Sequence, residues 1–204
     1  MNRADLAWAL NATLPHVGTV RGLNVGMQSR PTGLHVYACD GYTAGIARIE
    51  GPHGWNLHLS KSEATDLLRF VRPSKKAHFD EDVSIALAPG ELHIGIEDDS
   101  AVFETTEDQS ILEHLLALMR KLSDTQTAGH GQFIVQPSLC GKYAKAQRDE
   151  SDRLTFYPLV PNGRYGVALV TVGQHFIGSI AGMEFAGDDS TLQSFLSEAL
   201  ERVA

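Results

Sequence analysis

The stretch Trp55–Arg72, WNLHLSKSEATDLLRFVR, decides the fold. Its opening, WNLHLS, alternates apolar and polar residues as a short half-buried strand does. Ser60 then stands as an N-cap with Glu63 three residues on, the spacing of a capping box. Pro73 closes the run, so the spacing predicts a strand followed at once by a helix. On a helical wheel Lys61, Thr65, Arg69 and Arg72 share an arc of roughly 80°. Ala64, Leu67, Leu68 and Val71 form the adjacent apolar stripe, and Glu63 and Asp66 fall in a third sector. A helix that only needs solubility intersperses its signs to gain i,i+4 pairs. Segregation of sign suits a positive face turned towards phosphates, the alternative being a solvated helical face.

Working outward, VSIALAPGELHIGIEDDSAVFETTE (83–107) reads as three strands with turns at Pro89-Gly90 and Asp98-Asp99-Ser100. Upstream, Asn2–Leu14 is helical, with Leu6, Leu10 and Leu14 at four-residue spacing and Pro15 as the stop. GLNVGMQS (22–29) and GLHVYACDGYTAGIARI (33–49) are strand-like. Downstream, SILEHLLALMRKL (110–122) is a helix, followed by the polar loop SDTQTAGHG. The theme then returns: QFIVQPSLCGKYAKAQR (132–148) predicts a strand, a polar break and a second basic helix. RLTFYPLVPNGRYGVALVTVGQHFIGSIAGM (153–183) gives three more strands, turning at Pro161-Asn162-Gly163 and Gly173-Gln174. The two blocks begin roughly 75–80 residues apart, a repeat of pattern more than of residues. The tail, DDSTLQSFLSEALERV, is a capped amphipathic helix with Leu192, Phe195, Leu196 and Leu200 on one side. The expected architecture is α+β, with strand–helix–three-strand units and antiparallel sheets.

The 204 residues carry a formal charge of −8, with 43% hydrophobic and 21% charged residues. That balance argues against a nucleic-acid coat protein or a membrane-surface binder, and for an ordinary globular protein. Cys39 and Cys140 lack a CxxC partner and read as free thiols of a reducing compartment. The N-terminal segment has no sustained apolar run, and no stretch is long enough to span a bilayer, so a cytoplasmic location is expected. The nine histidines form no HExxH, HxH or Cys/His cluster, and no GxSxG, Walker or GxGxxG motif occurs. Neither metal, cofactor nor catalysis is therefore expected. The segment ACDGYTAG (38–45) puts a thiol, a carboxylate and a phenol close together. With no base or metal nearby in the pattern, it reads as a tight turn between strands. A hydrolase using Cys39 or Cys140 is the reading from a different class. Beyond the helix that follows Ser60, Lys142, Lys145 and Arg148 mark the second basic helix, beside Leu139, Tyr143 and Ala146. Lys75, Lys76, Arg120 and Lys121 lie at or near helix ends.

The repeated unit, the hairpin CDGYTAG and the following WNLHLSKSEATDLLRFV together resemble the bacterial DNA sliding clamp, the β subunit of the replicative polymerase. That family carries Thr-Asp-Gly-His-Arg-Leu-Ala in this hairpin, where the present chain has Cys39-Asp40-Gly41-Tyr42-Thr43-Ala44-Gly45. Lys61 falls where a basic helix-start residue is usual. The block 133–185 resembles the second half of the clamp's last domain, with Ala181-Gly182-Met183-Glu184 in place of Met-Pro-Met-Arg. The resemblance implies a DNA-clamp fold with helices on one face of antiparallel sheets. It implies a clamp-like domain at 1–108 and a shortened one at 109–185, to which the amphipathic tail helix at 186–204 is an addition. It implies a non-enzymatic processivity factor or docking platform in DNA replication, the alternative being a clamp-fold module that does not encircle DNA. Duplex DNA, bound without regard to sequence, would meet Lys61, Arg69, Arg72, Lys75, Lys76, Arg120, Lys121, Lys142, Lys145 and Arg148. Polymerase or other replication proteins would dock short peptide motifs in a pocket of Gly41, Tyr42, Thr43, Ala44, Ser179, Ala181 and Met183. A two-domain chain implies a homo-oligomer, a trimer where a ring forms.

Overall fold

The computed structural model describes residues 1–18, 24–72, 81–106, 111–123, 135–159 and 167–182. The first helix, α1 (Arg3–Thr13), starts where the Asn2 side chain accepts the Asp5 amide at 3.1 Å. It ends in a 3-10 turn, Leu14–His16, that places Pro15 where no intrahelical donor is needed. Three antiparallel strands follow: β1 (Val25–Arg30), β2 (Gly33–Cys39) and β3 (Thr43–Ile49). Next come β4 (Asn56–Leu59) and α2 (Lys61–Val71), whose Ser60 hydroxyl accepts the Glu63 amide at 3.1 Å as the capping-box spacing predicts. A second sheet, β5 (Ser84–Ala88), β6 (Glu91–Ile96) and β7 (Asp99–Glu104), succeeds it. The turn into β7 lies at Glu97-Asp98, earlier than expected, with Glu97 in the left-handed region at φ 52°.

The last block contributes α3 (Ile111–Ser123), the short α4 (Pro137–Gly141), and β8 (Leu154–Leu159), β9 (Val167–Val172) and β10 (Phe176–Ala181). The expected second basic helix is corrected here. α4 gives way at Gly141 to a 3-10 turn, Lys142–Ala146, and Arg148 lies beyond both. The expected strand at 132–134, the turn at 161–163, the boundary near 108 and the tail helix at 186–204 lie outside the described residues.

Among the described residues the strands form two antiparallel sheets, ordered β4-β1-β2-β3-β10-β9-β8 and β5-β6-β7. Residues far apart in sequence meet at the centre of the larger sheet, where β3 pairs with β10. The smaller sheet approaches the larger at β4, where the Thr106 amide donates to the His58 carbonyl at 2.9 Å.

Strand alternation sends successive side chains to opposite faces. Val36, Ala38, Ala47, Ile49, Ala168 and Val170 enter the main core with α1 and α2. Each fully buried leucine there, such as Leu10 or Leu67, contributes about 1.5–3 kcal/mol. Their neighbours Tyr37, Ala44, Ile46 and Leu169 face the other way, into a separate cluster with Leu112, Leu115 and Met119 of α3. The α+β layout is as expected, while α3 lies on the opposite face of the larger sheet from α1 and α2.

Candidate functional site

The hairpin between β2 and β3 is a closed turn. The Asp40 amide donates to the Thr43 carbonyl at 3.0 Å. Asp40 Oδ1 accepts the amides of Tyr42 (2.9 Å) and Thr43 (2.6 Å) and the Thr43 hydroxyl (3.1 Å). Gly41 holds φ 88°, a conformation that favours glycine, and leaves its neighbour Tyr42 67% exposed at the tip. These are the properties of Asp-Gly in a tight turn, as expected from the sequence.

Sequence reasoning missed what holds this turn from behind. Lys142, from the 3-10 turn, forms an ion pair with Asp40 Oδ2 and donates to Thr43 Oγ1 at 3.4 Å. Burial pushes the Asp40 carboxyl up, but the Lys142 bond and the two amides outweigh it and hold it below its ordinary range. Because the Thr43 hydroxyl donates to Asp40, His16 Nδ1 is the donor in its 3.0 Å contact with Thr43 Oγ1. His16 is fully buried, and its Nε2 has no hydrogen-bond partner. Burial, with Lys142 adding to it, lowers its pKa to about 4, so the ring is neutral near pH 7. Tyr143 lies against His16 with ring centroids 4.8 Å apart and donates to the carbonyls of Ser179 (2.5 Å) and Ala44 (3.4 Å).

This arrangement fixes a loop. Burial raises the thiol pKa of both Cys39 and Cys140, so neither is poised as a thiolate. Both are free cysteines. Among the described residues no group of His, Cys, Asp and Glu could hold a metal ion.

The strands carrying the expected peptide pocket are adjacent. Ser179 pairs with Ala44 and Ile180 with Thr43, and the Ala181 amide donates to the Tyr42 carbonyl at 2.7 Å. Gly41 and Tyr42 are exposed and Ala181 is half-buried, whereas Thr43, Ala44 and Ser179 are buried. Ala44 lies beneath α3. Met183 lies outside the described residues. A surface cleft of about 630 Å³, lined by Asp5, Thr32, Arg48, Ile49, Glu50, Arg148 and His175, takes nothing from the hairpin tip.

The basic residues divide into those facing solvent and those engaged within the chain. Lys61 and Arg69 are exposed on α2, Arg72 is exposed just past its end in extended backbone, and Lys145 is exposed on the 3-10 turn. Arg69 reaches Asp66 at 2.7 Å, so the acidic sector is closer to the basic arc than the wheel implies. Lys142 is committed to Asp40. Arg148 pairs with Asp5 and lies over the Trp8 ring, 5.3 Å from its centroid. Trp8 in turn donates its indole N–H to the Ala146 carbonyl at 3.1 Å, so this group docks the last block on α1. Arg120 is exposed on α3, across the sheet from α2. Lys75, Lys76 and the Lys121 side chain lie outside the described residues.

No family model matches the sequence, and no curated protein does. Solved structures do match the fold. The DNA polymerase sliding clamp of Pseudomonas aeruginosa superimposes with a TM-score of 0.64 at 10% identity, over 91% of this chain and 66% of that one. The DNA polymerase III β subunit of Thermotoga maritima gives 0.64 at 9% identity, over 94% and 65%. The griselimycin-bound sliding clamp of Bartonella birtlesii gives 0.62 at 10% identity, over 91% and 65%. The chain thus has the DNA-clamp fold and spans about 65% of the length of the clamps it matches.

Proposed function

We propose that this chain is a sliding-clamp-like platform that sits on duplex DNA without reading its sequence and holds replication proteins there, without catalysis. The observation that carries the reading is the exposed set Lys61 and Arg69 on α2 with Arg72 at its C-terminal end, in a fold shared with sliding clamps. Lys145 adds a further exposed cation on the 3-10 turn. Phosphate neutralisation by such residues is sequence-indifferent and salt-dependent. Partner proteins would dock through short peptides beside the hairpin tip, where β3 and β10 meet. Encirclement requires more than one copy. Among the described residues β4 and β8 end the larger sheet and β5 and β7 the smaller, and a strand at a sheet end is where a second copy would pair.

The test is retention on closed circular DNA, with light scattering to count subunits. A trimer that stays on circles and leaves when they are linearised is the expected result. A monomer at high concentration with no retention overturns the ring.

The second reading is a clamp-fold module that does not encircle DNA. It is favoured by the internal use of Lys142 and Arg148, which removes two expected phosphate ligands. Charge reversal of Lys61, Arg69 and Arg72 separates the readings: unchanged function supports the module.

A further inference from the structure

The face on which β3 and β10 meet is already occupied by this chain's own helix. Leu112, Leu115 and Met119 of α3 are buried against Tyr37, Ala44, Ile46 and Leu169. Leu116 adds a half-buried contact with the same cluster. Apart from these side chains, α3 is tied to β1 by an ion pair between Glu113 and Arg30, with Glu113 59% exposed. The Arg30 Nε is buried and has no hydrogen-bond partner, while its Nη2 reaches the Glu113 carboxylate. The outward side of α3 is exposed at His114, Ala117 and Leu118.

From this we infer that α3 is an in-chain ligand on the partner-docking face, and that the partner is an amphipathic helical peptide which replaces it. The face shows by its present occupant what it accepts. That is an apolar residue at i, i+3 and i+7, as at 112, 115 and 119, with an acidic residue at i+1 to meet Arg30. Docking is then an exchange. A tethered helix competes at high effective concentration, so a free peptide binds weakly until α3 is loosened. The inference rests on the docking reading above and adds to it both the chemistry of the partner and the competitor it meets.

The experiment uses the full chain and a fluorescent peptide copying residues 111–123, read by anisotropy. Glu113→Lys removes a mostly exposed ion pair and raises peptide affinity about threefold. Leu115→Glu unseats α3 and raises it roughly tenfold or more. In a charge-swapped chain carrying both Arg30→Glu and Glu113→Lys, α3 is seated again while the acidic residue of the native peptide meets a like charge on β1, and the gain disappears. Equal affinity across these chains, or no binding to any, overturns the inference. Glu113 is a surface position, so that variant remains informative if Leu115→Glu fails to fold. The same proteins, assayed for retention on circular DNA and for binding of polymerase-derived peptides, report on the platform reading. Exchange of the α3 peptide without those activities sinks that reading and supports this inference, and the converse does the reverse.

Discussion

Tyr143 donates its hydroxyl to the Ser179 carbonyl at 2.5 Å, so one side chain of a 3-10 turn holds the strand that completes the larger sheet. Its ring is buried against His16 and Phe176, with centroids 4.8 and 6.1 Å away. Tyr143→Phe keeps the ring and leaves that carbonyl without this donor, a cost of about 1–2 kcal/mol. Tyr143→Ala also opens a cavity and costs about 3–5 kcal/mol. Urea unfolding followed by circular dichroism measures both. A Phe variant as stable as the native chain would show that the hydroxyl contributes nothing net.

Acidification between about pH 6.5 and about 4 is expected to weaken the fold through His16. The unfolded chain takes up a proton on this ring below its ordinary pKa of 6.5, while the folded chain refuses it until about 4. Stability therefore rises with pH across that window and is level on either side of it, by up to about 3 kcal/mol for this one group. His16→Gln removes the dependence, with some loss of packing. The check is a series of urea midpoints against pH for the two proteins, whose curves should converge towards the acid end.

Crowding requires a glycine at position 45. A Cβ on Gly45 would meet His16 Cδ2 at 2.6 Å and Phe176 Cζ at 2.7 Å. Gly45→Ala pushes both rings aside and costs about 1–3 kcal/mol. Thermal unfolding measures it. A paired Phe176→Leu substitution should recover part of the loss if the ring contact is its source.

Replacing Lys61, Arg69 and Arg72 together by glutamine is expected to weaken duplex binding uniformly across sequences. The slope of log affinity against log salt falls by about 0.9 for each phosphate no longer neutralised. Filter binding over a salt series reads this directly. The same substitutions at Lys142 and Arg148 should leave the slope alone and lower stability instead, because those cations are paired with Asp40 and Asp5.

Much of the architecture is legible in the sequence because local rules govern it. The Ser60–Glu63 box, the Asp40-Gly41 turn and the alternation of the strands each depend on a few neighbouring residues. The roles of Lys142 and Arg148 are not legible, because their carboxylate partners lie more than a hundred residues away in sequence. A basic triplet at near-helical spacing suggests a helical face, but Pro137 and Gly141 leave room only for a short helix and a 3-10 turn. The amphipathic pattern of α3 predicts a helix, and a helix forms there. Which face of which sheet would cover its leucines is a tertiary fact, decided by Tyr37, Ala44, Ile46 and Leu169, and periodicity does not carry it.

The pairing of β3 with β10 also has a consequence for synthesis. β3 spans Thr43–Ile49 and β10 spans Phe176–Ala181, so a ribosome must translate more than a hundred further residues before the first strand meets its partner. Throughout that interval the nascent chain carries an apolar strand with one backbone edge unsatisfied, the kind of surface that recruits other chains or holding chaperones. The hairpin at its head is formed early by local contacts, but Lys142 and Tyr143 lock it only after they too have been made. The tempo of elongation therefore bears on the yield of this protein more than it would for a chain whose central strands are neighbours in sequence.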